Sequence, residues 1–251
     1  MRVVIAGAGN AATIIGRLIK KAGHEILQVV SRDASHAKTL ADELGCPFSG
    51  FSGEMDTHAD LYLIAISDDA LPGINEFFKI GNKLVVHTAG AMSKDVLKDI
   101  SNNYGVIYPL QSLRKEMDTN CVIPLLVDGN SIETITLLED FANSLSDVVA
   151  KANDEERLKL HVAAVIVNNF TNHLFALAED FCKKENIDFN MLHPLIRETV
   201  QRIESRSPGS VQTGPAFRND MITIDKHIRM LDNNKKLKYI YLKLTESIMN
   251  R

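Results

Sequence analysis

Cysteine is scarce in this sequence of 251 residues, and its three positions lie far apart. Cys46, Cys121 and Cys182 are odd in number and include no C-x-x-C pair. This spacing excludes a cysteine-based zinc site and is typical of reduced thiols in a cytosolic protein. We therefore expect three small buried side chains, no bound metal and a cytoplasmic location.

Concentrated positive charge is absent as well. The net charge is only −4, and no run of Lys and Arg is longer than a pair such as Lys235-Lys236. Nucleic acids and anionic membrane surfaces are bound by basic patches, so this distribution gives no support for either partner. We expect a small molecule to be the binding partner instead.

Long apolar runs are also missing. A bilayer requires about 18 or more consecutive apolar residues, and the sequence offers no such run. Asn10 and Thr13 interrupt the apolar N-terminal stretch, which would otherwise resemble a secretory signal. We therefore expect neither a signal peptide nor a membrane-spanning segment.

The first 16 residues carry the strongest pattern in the chain. A β-branched run is followed by a turn of the form G-x-G-x-x-A, made by Gly7, Gly9 and Ala12, and then by an apolar helical pattern. A dinucleotide-binding strand, turn and helix require this order. Asn10 and Ala11 complete the turn, and all five residues are predicted to contact a cofactor.

The end of the second predicted strand distinguishes NADP from NAD. An acidic residue there would bind the adenosine ribose, whereas a small polar residue with arginine accommodates a 2′-phosphate. The sequence reads Ser31-Arg32, which favours NADP. Asp33 could still serve the ribose, but it is better explained as the N-cap of a helix over residues 34–44.

Alternating strand and helix patterns continue to residue 152. Apolar strands at residues 60–67, 83–88, 104–109, 121–127 and 147–150 predict a doubly wound, mainly parallel sheet in an α/β domain. Ligands of such sheets bind beyond the carboxyl ends of the strands. Ile66, Ser67, His87 and Thr88 are therefore candidate cofactor contacts, and the loop residues Gln111 and Ser112 are candidate substrate contacts.

Residues 153–251 show helical patterns only and are predicted to form an all-α second domain. Its first helix, residues 154–184, is so apolar in its middle that we expect it to be buried. His161, Asn168 and Asn172 fall within roughly 40° on one face of this helix, with Asn169 and His173 further round. Asn172 and His173 are best explained by structural hydrogen bonds between helices or across a dimer interface.

His161 and Asn168 are candidate catalytic residues. Two-domain dehydrogenases place the first helix of the second domain against the nicotinamide pocket, where an imidazole could act as general acid to a carbonyl oxygen. Further along, the loop at residues 207–220 offers Arg218 as an anion-binding group and Asp220 as a carboxylate. Alternatively, Asp220 caps the helix that starts at residue 221 and pairs with Arg218.

The assembled motifs resemble those of a known superfamily. They are GAGNAA at residues 7–12, VHTAG at 86–90, YPLQSL at 108–113, His161 with Asn168-Asn169, and TGPAFRND at 213–220. The chain resembles the pyrroline-5-carboxylate reductase and 6-phosphogluconate dehydrogenase C-terminal-like superfamily, and more closely the Rossmann-like proteins with the domain of unknown function 2520. The resemblance implies a Rossmann domain, an all-helical C-terminal domain and a homodimer formed through the latter.

The chain also departs from characterised relatives. Hydroxyacid dehydrogenases carry a lysine followed four residues later by an asparagine on the equivalent helix, whereas here Lys159 is followed by Ala163. The serine- and threonine-rich loop of pyrroline-5-carboxylate reductases is not reproduced at residues 213–218. The sequence predicts an NADP-dependent oxidoreductase acting on a small carbonyl or imine substrate, with a non-catalytic nucleotide-binding or sensor protein as the alternative.

Overall fold

The computed structural model describes residues 1–250 and divides into two compact units. The first unit is Met1–Asn169, and the second begins at Phe170. This division lies within the long helical segment. The predicted domain boundary between residues 152 and 153 stays a prediction.

The first unit is built on one sheet of eight strands in the order β3-β2-β1-β4-β5-β6-β7-β8. Every neighbouring pair is parallel except β6 and β7. The doubly wound, mainly parallel sheet is therefore confirmed. The strands are β1 (Arg2–Ala6), β2 (Glu25–Ser31), β3 (Phe48–Gly50), β4 (Leu61–Ile64), β5 (Gly81–His87), β6 (Ser101–Pro109), β7 (Leu125–Gly129) and β8 (Val149–Lys151).

Several details of the sheet differ from the sequence prediction, and the strand predicted at residues 60–67 covers only Leu61–Ile64. The short edge strand β3 was not anticipated, because three residues give too little alternation to read. The strand predicted at residues 121–127 starts only at Leu125 and also includes Asp128 and Gly129. They remain in the strand because Val106 and Gly105 of β6 pair with them.

Helices cover both faces of this sheet. They are α1 (Asn10–Lys21), α2 (Ala34–Leu44), α3 (Ile132–Leu145) and α4 (Asp154–Ala164), with 3-10 segments at Asp68–Glu76 and Lys94–Leu97. Asp33 caps α2 by accepting hydrogen bonds from the N–H groups of Ser35 and His36, as predicted. Ser67 occupies the N-cap position of the 3-10 segment Asp68–Glu76.

The core of the first unit lies on both sides of the sheet. Strand β4 shows this directly, since all four of its residues are buried. Leu61 and Leu63 pack into one apolar cluster, while Tyr62 and Ile64 pack into the cluster on the opposite face. Connections leave β1 and β4 in opposite directions, so their carboxyl ends frame the crevice where doubly wound sheets bind ligands.

The helical segment Asp154–Lys184 is continuous but not regular. It runs from α4 through a π-helical turn, Val165–Phe170, into α5 (Thr171–Lys184). The prediction that it is buried is wrong: Val162 is 53% exposed and Val167 is 71% exposed. The apolar composition was correctly read, but nothing in residues 1–250 covers these side chains.

By length and composition alone, this segment also qualifies as a membrane span. Its most apolar window has a mean hydropathy of 1.2 and is 6% buried. The sequence analysis expected no segment that could span a membrane, and this segment does not meet that expectation. However, His161, Asn168 and Asn169 lie in it, and polar side chains are costly in a bilayer.

The second unit is helical throughout the part that the structure describes. After α5 it contains α6 (His193–Ser205), α7 (Met221–Met230) and α8 (Lys235–Met249), with 3-10 segments at Phe189–Leu192 and Pro208–Val211. Of the cysteines, only Cys182 is buried as expected, whereas Cys46 is partly exposed and Cys121 is exposed.

Candidate active site

Gly7 is required by the path of the chain at the end of β1. Its φ is +124°, a conformation that residues with a side chain rarely adopt. A Cβ there would lie 2.0 Å from the carbonyl oxygen of Ala65. The Gly7 N–H donates to the carbonyl oxygen of Val30 at 2.7 Å, so the turn is tied to β2.

Gly9 has a different role, because the space in front of it is open. A Cβ at Gly9 would meet nothing within 4 Å. Gly9 is the N-cap of α1 but offers no side-chain cap, and the first turn of α1 contains no acidic residue. The free N–H groups and the positive end of the helix dipole therefore remain available to an anion. The cradle fits a dinucleotide pyrophosphate.

A cleft of about 380 Å³, here called the glycine-loop cleft, opens in front of this turn. Most of the predicted cofactor contacts line it: Gly7, Gly9, Asn10, Ala11, Ser31, Arg32, Ile66 and Ser67. Ala12 lies behind the loop and is fully buried, where its small side chain lets α1 approach the sheet. His36 and Phe51 also line the cleft and were missed, because His36 lies inside α2 and Phe51 follows the unanticipated strand β3.

Asp33 borders the same cleft, but its carboxylate is already engaged. Its Oδ1 accepts hydrogen bonds from the Ser35 hydroxyl and from the N–H groups of Ser35 and His36. These bonds lower the pKa of Asp33. Arg32 has no such internal partner among the described residues and is the free charged group at this end of the cleft.

His87 and Thr88 do not line the glycine-loop cleft. His87 is fully buried; its Nδ1 accepts from the Ala89 N–H, and its Nε2 lies 3.2 Å from the carbonyl oxygen of Ser93. Burial lowers the pKa of His87 to about 4, so the ring is neutral. In the structure His87 holds the loop after β5. Its position at the carboxyl end of a strand had predicted a cofactor contact instead.

A second cleft, of about 570 Å³, lies beside His161 and is called the His161 cleft below. It brings together the predicted residues Gln111, Ser112, His161 and Asn168. The remaining lining residues are Tyr108, Leu110, Leu160, Ala163, Ala164, Val165, Val167 and Asn169. The cleft is thus an apolar hollow with a few polar groups, which is typical of small-molecule sites.

Tyr108 is the main residue that sequence reasoning missed. Its hydroxyl lies 2.9 Å from Nδ1 of His161, and the two rings meet edge to face. The approach depends on Gly90, because a Cβ there would lie 2.8 Å from both His161 Nδ1 and Tyr108 Cζ. The motifs VHTAG and YPLQSL, which stood apart in the sequence, therefore meet at His161.

The π-helical turn changes which asparagines face the cleft. On a regular helix Asn169 would point away from the face shared by His161 and Asn168. The wider turn at Val165–Phe170 brings both Asn168 and Asn169 to the cleft. Such π-turns often occur at functional sites. The predicted position of Asn169 was wrong for this reason.

Arg157 is a second residue that the sequence did not reveal. Its side chain is 1% exposed, and Nη2 donates to the carbonyl oxygen of Met92 and to Asp154 Oδ1 at 2.6 Å. Nε and Nη1 have no hydrogen-bond partner within residues 1–250. Arg157 therefore ties the loop after β5 to α4. Burial is the main cause that lowers the pKa of His87, and the Arg157 charge adds to it. Burial raises the pKa of Tyr108, and the Arg157 charge opposes that rise.

Arg218 and Asp220 belong to the second unit. Asp220 accepts hydrogen bonds from the N–H and the hydroxyl of Thr223 and so caps α7. The capping part of the structural alternative is therefore confirmed, whereas the described residues show no ion pair between Arg218 and Asp220. A contact of Arg218 or Asp220 with substrate stays a prediction.

Comparison with known proteins decides the family. Residues 123–248, half of the chain, match the model described as a domain of unknown function, DUF2520. The chain belongs to the DUF2520 family. Residues 2–90 match a second model, described as NADP oxidoreductase coenzyme F420-dependent. The resemblance predicted from the motifs is thereby confirmed. Among curated proteins, none is significantly similar in sequence.

Solved structures extend the similarity over the whole chain. A Bacteroides fragilis protein provisionally assigned as an NADP oxidoreductase is 35% identical, with a TM-score of 0.92 over 100% of this chain and 98% of its own. A pyrroline-5-carboxylate reductase of Streptococcus pyogenes is 14% identical, with a TM-score of 0.63 over 100% and 99%. An Aspergillus terreus reductive aminase, solved with NADPH, is 13% identical, with a TM-score of 0.72 over 99% and 92%. The last two share the fold.

Proposed function

We propose that this DUF2520 protein is an NADP-dependent oxidoreductase that reduces a small carbonyl or imine compound in the cytoplasm. The main support for the proposal is the hydrogen bonding of His161 in its cleft. The Tyr108 hydroxyl binds Nδ1, while Nε2 has no partner among residues 1–250. The similarity to NADP oxidoreductases supports the same class of reaction.

The roles of the residues follow from the two clefts. The backbone of Gly7, Gly9 and Asn10 would hold the pyrophosphate, with Ser31 and Arg32 on the 2′-phosphate. When bound, NADPH supplies a hydride to the substrate carbon. His161 donates a proton to the carbonyl oxygen or imine nitrogen, and the Asn168 amide orients that atom. Gln111 and Ser112 hold the rest of the substrate, and Arg218 is the candidate group for an anion on it.

The nucleotide preference is tested by Arg32→Ala. We expect the affinity for NADPH to fall about 10- to 100-fold, because one charged contact to a phosphate is lost, while the affinity for NADH changes little. Fluorescence titration with each reduced nucleotide measures both values. Lys38→Ala, an exposed change on α2, is the control. Equal losses for the two nucleotides would contradict NADP selection.

One observation favours the alternative, a nucleotide-binding protein without turnover. Lys159, which stands nearest to the catalytic lysine of related dehydrogenases, is exposed and paired with Glu155, and it does not line the His161 cleft. Binding of NADPH with no oxidation across a panel of ketones, aldehydes and cyclic imines would support this alternative.

We further propose that a second copy of this chain covers the exposed apolar face of Asp154–Lys184. Val162, Val167 and Phe170 are more than half exposed there, and burying them would stabilise a dimer. Sedimentation should show a dimer for the wild type and a monomer for Val162→Glu. Ile132→Glu, at an exposed residue of α3, should remain dimeric. A monomeric wild type would contradict the dimer.

A further inference from the structure

Packing alone does not explain why residue 108 is a tyrosine, because the position does not require a hydroxyl group for a structural role. Tyr108 stands near the end of β6, lines the His161 cleft and is otherwise packed among apolar residues. Its hydroxyl has one protein partner among the described residues, Nδ1 of His161. The hydrogen bond joins two groups that can both carry a proton.

The protonation states of this pair follow from its geometry. A phenol that keeps its proton donates to Nδ1, so a neutral His161 carries its single proton on Nε2. A neutral imidazole that lost this proton would become an anion unless Nδ1 gained another. The Tyr108 hydroxyl is placed 2.9 Å away to supply it.

We propose that Tyr108 is the proton source behind His161, so that the two residues form a relay serving the His161 cleft. This inference rests on the proposed reduction of a carbonyl or imine. During the reduction, for which a bound NADPH would supply the hydride, Nε2 of His161 gives its proton to the substrate oxygen or nitrogen. At the same time Nδ1 takes the proton of Tyr108. The tyrosinate then takes its proton back from Nδ1 as water protonates Nε2 of His161, which restores both residues.

The charged groups around Tyr108 suit this relay. Burial is the main factor that raises the pKa of Tyr108, and the Asp68 carboxylate adds to it, so the phenol holds its proton near neutral pH. Arg157 acts in the opposite direction. Its buried guanidinium, with Nε and Nη1 unpartnered, favours the negative charge that develops on Tyr108 during transfer.

The relay predicts a specific pH dependence for Tyr108→Phe. Without the phenol, Nδ1 of His161 has no proton source, so kcat should fall roughly tenfold or more, with a larger loss at about pH 9 than at about pH 6. The wild type should keep its kcat over this range, and KM should be similar in both. Gly90→Ala should resemble Tyr108→Phe, because the added Cβ displaces the paired rings.

The chain provides a matched control in its second unit. His227 Nδ1 and Tyr241 Oη form the same type of edge-to-face pair at 2.8 Å, and neither residue lines the His161 cleft. Tyr241→Phe should therefore keep the wild-type pH profile. If Tyr108→Phe also keeps it, the relay is wrong while the reductase proposal stands. If the wild type reduces no carbonyl or imine, the proposed function itself fails.

A second measurement does not depend on turnover. The protein has five tyrosines and no tryptophan, so the ultraviolet absorbance of tyrosinate is unobscured. The difference between the titrations of wild type and Tyr108→Phe isolates Tyr108. Because a neutral imidazole acceptor stabilises the protonated phenol, His161→Ala should move that midpoint to lower pH, whereas His227→Ala should not. An unmoved midpoint would overturn the coupling of Tyr108 with His161.

Discussion

Replacing Gly7 with alanine should abolish NADPH binding and destabilise the first unit. The new Cβ would lie 2.0 Å from the Ala65 carbonyl oxygen, and alanine disfavours the φ of +124°. Each effect costs on the order of 1–3 kcal/mol. Thermal unfolding should show a clearly lower midpoint, and NADPH should give no fluorescence change at concentrations that saturate the wild type.

Gly9→Ala is the matched control, because its Cβ would meet nothing within 4 Å. We expect its unfolding midpoint to match that of the wild type, while its NADPH affinity falls at least roughly tenfold, since the methyl group stands where a phosphate must approach. Stability and binding are thus separated by two neighbouring glycines. Wild-type affinity in Gly9→Ala would show that the nucleotide does not use this turn.

The second large effect is expected for His161→Ala. Removing a positioned general acid typically costs about 10²- to 10⁴-fold in rate, so kcat should fall by that amount. NADPH affinity should stay near the wild-type value, because His161 does not line the glycine-loop cleft. Steady-state kinetics and fluorescence titration give the two quantities.

His227→Ala removes the other tyrosine-paired histidine of the chain and should leave kcat unchanged. Parallel loss of stability in His161→Ala would point to a structural role instead. Unchanged turnover in a folded His161→Ala protein would exclude it as the proton donor.

The fold could be read from the sequence because its signals are local. The glycine turn, the Asp33 cap and the buried strand β4 each depend on a few adjacent residues, and each appears in the structure as predicted. Most cofactor candidates also meet in one cleft, because parallel strands present their carboxyl ends at the same edge.

The missed features depend on contacts that are distant in sequence. Tyr108 and His161 are separated by 53 positions, and Gly90 is required only because those two rings lie against it. His87 has a strand-end position, yet the loop after β5 folds back over it. None of these contacts leaves a periodic signal in the sequence.

Other errors arose from two assumptions about residues 154–184. One was that the helix is regular, and the other was that the same chain buries it. A 3.6-residue period places Asn169 away from Asn168, whereas the π-turn brings both to the cleft. Apolar composition predicted that residues 154–184 are buried, but composition does not state which surface covers a helix. A second copy of the chain is the cover that we propose for this face.

Transfer of hydride from the nucleotide to a product is the central claim, and deuterium transfer tests it most directly. The protein is incubated with NADPH deuterated at the transferring carbon and with a panel of small carbonyl and imine compounds, and the products are analysed by mass spectrometry. We predict deuterated product with the wild type and at least about 100-fold slower formation with His161→Ala. NADPH binding without deuterium in any product would contradict the account.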